Sequence, residues 1–231
     1  MTTTVPDVLD ALTGVRDPEL DQNLVELGFV TDVQVDGPVV AVRLRLPTYF
    51  CAPNFAFLMV ADARRAVEGL AGVDVARIAL EDHFTAGEIN EAVGRDATFT
   101  EAFPGEARGE LDDLRALFRR KALTARQGRL CDGLLAAGRS EEDLIAMRLD
   151  GLPAGPDADR CRELRHELGY AAGPGAPAFV LADGAPLTAG EFARFLRFAR
   201  LVARSLDGNA HLCRGLLKTR YDLTDHEEVA A

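Results

Sequence analysis

Apolar and polar residues alternate over Phe29-Val30-Thr31-Asp32-Val33-Gln34-Val35 and again over residues 39–46. That two-residue period predicts half-buried β-strands. Asp36-Gly37 between them is a hairpin signal, and Pro38 delays the start of the second strand. In that strand Val40, Val42, Leu44 and Leu46 share one face, and Arg43 and Arg45 share the other. Helical spacing appears on either side. Val8, Leu9 and Leu12 mark a short helix over 6–14; Phe55, Leu58, Met59 and Val67 mark a longer one over 54–69, ended by Gly69 and Gly72. Residues 73–80 read as a third strand. Asp17-Pro18, an N-cap followed by proline, opens a short helical turn that ends near Gly28. The order helix, strand, strand, helix, strand predicts a two-layer unit over residues 1–82, with both helices on one face of a small sheet.

Beyond residue 82 the pattern changes. Residues 83–108 are punctuated by Gly94, Pro104 and Gly105, yet they carry Ile89, Val93, Phe99 and Phe103. A connector that packs down is expected there. Apolar residues recur at helical spacing over 110–123 and over 125–137, where Gly138 stops the run. Ser140, followed by three acids, opens a further helix, and another covers 158–168. Asp183-Gly184 predicts a short hairpin near 178–187. Thr188 with Glu191 forms a capping box for a long helix striped by Phe192, Phe195, Leu196, Ala199 and Val202; a last helix is expected over 209–220, then an acidic tail. The predicted fold class is α+β, a small α-β-β-α-β domain followed by a mainly helical domain over 109–231.

Composition narrows the function classes. The 231 residues are 48% hydrophobic and 27% charged, a globular balance with room for two small domains. A net charge of −11 and the lack of any basic run argue against nucleic-acid binding. No apolar run approaches the roughly 20 residues that span a bilayer, and the N-terminus has no signal region. A cytoplasmic location is expected, where the four cysteines stay reduced. There is no Gly-x-Ser-x-Gly, P-loop or Gly-x-Gly-x-x-Gly, so no enzyme is expected.

Cys51 is the leading candidate for chemistry. It lies in the turn Pro47-Thr48-Tyr49-Phe50-Cys51-Ala52-Pro53, between a strand and a helix. A positive helix end favours the thiolate, which binds soft metals and iron–sulfur clusters. The alternative is a small hydrophobe packed under Phe50 and Phe55. Asp17 and Glu19 are open to two readings as well, a cap with its first-turn acid or an acidic lip beside the Cys51 turn. Cys131, Cys161 and Cys213 lack metal-site spacing and fit helical core positions. On a helix, His211 and Cys213 do not face each other. A Cys51–His83 thiol enzyme would need a pocket that the sequence does not suggest. Arg194, Arg197, Arg200 and Arg204 read as a solvated helix face or a stripe for an acidic partner.

Asp17-Pro18-Glu19-Leu20, then Leu24-Val25-Glu26-Leu27-Gly28-Phe29-Val30, then Pro47-Thr48-Tyr49 ahead of Cys51 resembles the SufT/PaaD-like family of iron–sulfur assembly domains. The resemblance covers about residues 5–82. It implies an α/β sandwich that assembles or delivers metal–sulfur centres on client proteins. By matching position, Cys51 would be the reactive, cluster-binding cysteine, and Asp17, Glu19 and Thr48 the motif residues that meet a client. The chain departs from the family pattern in having Phe50 before Cys51 and Ala52 between it and Pro53. Because clusters usually take four protein ligands, one thiolate would need a homodimer, a client's ligands or a small thiol. The resemblance therefore implies a transient iron–sulfur cluster as cargo, with assembly proteins and a client metalloenzyme as partners. The helical region resembles that of longer assembly proteins of hydrocarbon-oxidation operons, which implies a multicomponent oxygenase as client. An adaptor that docks a metalloenzyme subunit through the helices, carrying no cluster, fits the same resemblance.

Overall fold

A computed structural model describes residues 2–105 and 111–223. The expected acidic tail with His226, and residues 106–110 at the end of the connector, lie outside them. Two compact units make up the chain. One comprises residues 1–112 with 209–231, and the other residues 113–208.

The first unit has the expected order: α1 (Val5–Thr13), β1 (Val30–Asp36), β2 (Val39–Arg45), α2 (Pro53–Glu68) and β3 (Val75–Glu81). Strands β1 and β2 pair antiparallel, Asp36 opposite Val39, so the turn is Gly37-Pro38. Gly37 has φ 57°, a conformation that glycine adopts without steric cost. A register shift between Val30 and Asp32 bulges β1. Strand β3 runs parallel to β2 in the order β1-β2-β3, with α2 as the crossover that parallel neighbours require. Val40, Val42 and Leu44 of β2 and Ala76, Ile78 and Leu80 of β3 are buried. With Val8 and Leu12 of α1 and Ala56, Val60, Ala63 and Val67 of α2 they form one core.

Residues that follow β3 extend this core. Helices α3 (Ala86–Gly94) and α4 (Phe99–Ala102) bring Ile89 and Val93, and then Phe103, into it. β3 is an edge strand, and Asn90 of α3 occupies its open side: Asn90 Nδ2 donates to the Leu80 carbonyl at 3.0 Å and the Leu80 amide donates to Asn90 Oδ1 at 2.8 Å. The side chain thus satisfies two backbone groups that no strand pairs.

The second unit is mainly helical. Its elements are most of α5 (Leu111–Ala136), α6 (Glu141–Ala146), a 3-10 turn (Leu149–Gly151), α7 (Pro156–Glu167) and the first part of α8 (Ala189–Arg220). Where two segments were expected over 110–137, one continuous helix runs. The interior Gly128 serves a close approach, since a Cβ there would lie 2.8 Å from Ala199 Cβ. Ser140 caps α6 through the Asp143 amide, and Val180 bridges Pro186 across the Asp183-Gly184 turn. Cys131 and Cys161 are fully buried in this unit's core. Arg200 of the arginine series pairs with Asp132. Helix α8 is likewise continuous from Ala189 to Arg220, where sequence reading divides it. Its end, from Asn209 onward, belongs to the first unit: Ala210 and Leu217 are buried in that unit's core. No helix of the described residues is long and apolar enough to cross a membrane.

Candidate functional site

Three loops of the first unit and the end of α8 meet around Cys51. The earliest is 15–28. Asp17 Oδ1 accepts from the amides of Glu19 (2.8 Å) and Leu20 (3.0 Å), closing a turn, and Asn23 Oδ1 accepts from the Glu26 amide at 2.8 Å, closing the next. These caps let Leu20, Leu24 and Leu27 enter the core. Gly28, at φ 73°, then redirects the chain so that Phe29 is buried ahead of β1. The Asp-Pro-Glu and Leu-Gly-Phe motif residues therefore have a local structural basis, whatever else they do.

The second loop, 46–52, carries the thiol. Ala52 is the N-cap of α2 and Pro53 its first residue, so Cys51 stands one position outside the helix. The amides of Phe55 and Ala56 bond to the Ala52 carbonyl at 3.0 and 3.1 Å. The Cys51 sulfur meets the Thr48 hydroxyl instead, 3.3 Å away. The thiol is half-buried against the core, while Phe50 is 75% exposed. Tyr49, Phe50 and Phe84 form an exposed aromatic rim, with ring centroids 5.0 to 6.3 Å apart.

His83, on the third loop, supports the second. Its Nε2–H donates to the Cys51 carbonyl at 2.8 Å, while the amide and hydroxyl of Thr85 meet Nδ1 at 3.3 and 3.1 Å. This network fixes the tautomer. Burial holds the imidazole below its ordinary pKa, the bond to Cys51 opposes that, and the nearby Arg220 charge adds to it. The ring reaches the backbone of Cys51 and not its sulfur, so the nucleophile–base contact of a thiol enzyme is not formed.

The end of α8 completes the site. Asn209 Nδ2 donates to Glu19 Oε1 at 3.4 Å, and Arg214 donates to the Gln22 side chain. Arg220 donates to the carbonyls of Leu46 (3.1 Å) and Asp82 (2.6 Å), tying all three loops to one helix. Between those anchors lies Cys213, half-buried against the same core as Cys51. Burial pushes the Cys213 thiol up to about 11, the charges of Asp17, Cys51 and Glu19 add to the effect, and Arg214 opposes it. Asp17 is itself perturbed: burial raises its carboxyl to about 6 against the two amide bonds that favour the anion, and Glu19 adds a small push.

The structure thus brings Asp17, Glu19, Thr48 and Cys51 to one region and adds Cys213, which sequence reasoning assigns to a core. Its signal is a face count: Ala210, Cys213 and Leu217 share one side of the helix, while Leu212 and Leu216 lie on another and stay exposed. Among the described residues no three His, Cys, Asp or Glu side chains are grouped closely enough to hold a metal ion by themselves. Soft ligands are present, but a closed site is not.

Residues 6–80 match the iron–sulfur cluster assembly protein family. A protein of Methanocaldococcus jannaschii described as uncharacterized is 35% identical over 89 residues, 38% of this chain and 92% of that protein. An iron–sulfur cluster carrier protein of Synechocystis is 42% identical over 71 residues. Those residues are 31% of this chain and 20% of the carrier, so the likeness is confined to a fifth of that protein.

Proposed function

This chain belongs to the iron–sulfur cluster assembly protein family, and from that premise we propose that it assembles or delivers a cluster for a client metalloenzyme, with Cys51 as the thiol that handles the cargo. The observation that carries the proposal is the placement of Cys51. Its half-buried sulfur sits on a turn within the matched residues, beside Thr48 and an exposed aromatic rim. A carrier must hold its cargo weakly enough to pass it on. An open ligand set meets that need, whereas a four-thiolate cage retains its cluster. The cluster is therefore a transient cargo. Upstream assembly proteins load it, and a multicomponent oxygenase in the cytoplasm is the client class to test first. Glu19 and Thr48 are the motif residues that meet the client, buried Asp17 holds the loop that presents Glu19, and the remaining cluster ligands come from the client, a small thiol or a second copy of the chain.

The test is Cys51→Ala in cells that express the client. Loss of client iron and of thiolate-to-iron absorbance after anaerobic reconstitution is expected. Unchanged client iron overturns the delivery reading. A second reading, an adaptor that docks a metalloenzyme subunit without carrying a cluster, is favoured by the exposed Tyr49, Phe50 and Phe84. It predicts that Phe50→Ala impairs maturation while Cys51→Ala does not.

A further inference from the structure

The open edge of β3 is closed at one end and left free at the other. The Val75 amide donates to the Pro38 carbonyl at 3.2 Å, so residue 75 turns its backbone toward β2. Successive residues of a strand alternate, and Leu80, bonded to Asn90, turns the other way. Ala76 and Ile78 therefore point their amides and carbonyls away from β2, as Leu80 does. Among the described residues those four groups have no hydrogen-bond partner. At Leu80 the Asn90 side chain supplies the donor and acceptor that a neighbouring strand would.

The free groups lie along a recess of about 420 Å³, bounded by Val75–Ile78, by Asn90, Val93 and Gly94 of α3, and by Arg64 of α2. A Cβ on Gly94 would meet nothing within 4 Å. Arg64 donates to the Val93 carbonyl and pairs with Glu68 and Asp96, so its charge is already matched. On the solvent face of β3 the exposed Arg77 makes no ion pair among the described residues, and Val75, on the same face, is 40% exposed.

We propose that this edge accepts an extended segment of a partner protein as a fourth strand, with an acidic side chain opposite Arg77 and small apolar side chains on either side of it. An added strand gives Ala76 and Ile78 the backbone partners they lack, and its alternate side chains give specificity. The residue across from Arg77 shares its solvent face, where an opposite charge is favourable. The residues before and after it turn to the other face, toward buried Ile78 and Val93, where apolar groups fit. A second copy of the chain suits the edge less well, because the two-fold antiparallel register that pairs Ala76 with Ile78 opposes the two Arg77 charges. Asn90 ends the pairing at Leu80 and keeps the added strand short. Docking here needs no thiol at Cys51, so it stands or falls apart from the cluster reading.

The probe is the capped peptide acetyl-Thr-Val-Glu-Val-Thr-amide, titrated into the isotope-labelled full chain and followed by nuclear magnetic resonance. The Ala76 and Ile78 amide signals should shift, and their exchange with solvent should slow. Arg77→Glu, at an exposed position, should weaken this peptide about fivefold and favour a version with lysine in place of glutamate. N-methylated peptides give a check that needs no variant. Methyl groups on the two valine nitrogens, or on the glutamate and threonine nitrogens, remove alternate amides, and only the set that faces β3 should abolish binding. No response at Ala76 and Ile78, unchanged affinity in Arg77→Glu, or equal effects of the two methylated sets overturns the proposal. Exchange at those amides that slows with protein concentration in the absence of peptide assigns the edge to a second copy and overturns it as well.

Discussion

Asp17 offers a quantitative test of how the site is built. It is 8% exposed and its carboxyl is raised from 3.8 to about 6. The folded state therefore holds on to a proton that the unfolded chain releases. Stability from this group is fully present below the unfolded value near 3.8 and is lost as the pH rises through about 6. The loss at neutral pH is about 3 kcal/mol, at roughly 1.4 kcal/mol for each tenfold change in proton affinity. Asp17→Asn keeps the Oδ1 acceptor that serves the Glu19 and Leu20 amides, and it removes the charge. Urea unfolding of both proteins at pH 4, 5, 6, 7 and 8 gives the difference curve, in which other titrating groups cancel. The variant should equal wild type near pH 4 and exceed it above pH 7 by up to about 3 kcal/mol. A pH-independent difference, or one that favours wild type as the pH rises, refutes the reasoning. The same variant should lower the pKa of Cys213, since Asp17 contributes to holding it up. Titrating the alkylation rate of Cys213 against pH measures this.

His83 should act in the opposite sense. Its pKa lies below the ordinary value, so its contribution is present above the unfolded pKa of 6.5 and is lost as the pH falls through the folded one; urea unfolding should show wild type losing more stability than His83→Gln between pH 7 and pH 5. Asn90→Ala leaves the amide and carbonyl of Leu80 without their side-chain partner, and should cost about 2–4 kcal/mol in the same assay. Gly128→Ala places a methyl 2.8 Å from Ala199 Cβ, and should lower the stability of the second unit by about 1–3 kcal/mol while leaving the Cys51 alkylation rate unchanged. Phe50→Ala, at a position 75% exposed, should change stability by less than about 0.5 kcal/mol. A larger loss would mean that the aromatic rim belongs to the core.

The elements of the first unit were legible because each has a local cause. Alternation sets β1 and β2, Pro53 starts α2, and the caps of Asp17 and Asn23 shape the loop before β1. Helix continuity was less legible. Gly128 reads as a weak point in a helix when its neighbours are unknown, and the 2.8 Å approach of Ala199 that explains it is separated by some seventy residues of sequence. The run through Ser205, Asp207, Gly208 and Asn209 likewise looks like a break, because those residues favour helix ends. Buried neighbours decide otherwise: Leu206 and Ala210 are each held in a core, one in each unit. At the site, Cys51 was legible from its turn and from the motif upstream. Cys213 reads from its apolar helical pattern as a packed residue and lies half-buried against the first unit's core; which core it joins was not legible, because the bonds from Asn209 and Arg220 to distant loops are what fasten this end of α8 there.

The cost held at Asp17 bears on why this arrangement exists. Local structure asks of residue 17 only an acceptor for two amides, which an asparagine supplies without the penalty of a buried charge. Aspartate instead places negative charge within electrostatic reach of Glu19 and Cys213, where it disfavours the Cys213 thiolate against the opposing charge of Arg214. A site meant to retain a metal would gain from cationic neighbours, which stabilise thiolates. An anionic neighbour does the reverse, which fits the proposed delivery of a cargo better than its retention. If that is the reason for the charge, Asp17→Asn should bind cadmium(II) more tightly and release it more slowly to a competing chelator than wild type does. Equal release rates, in a variant whose stability has risen as expected, would separate the two effects and leave the carboxylate with no part in release.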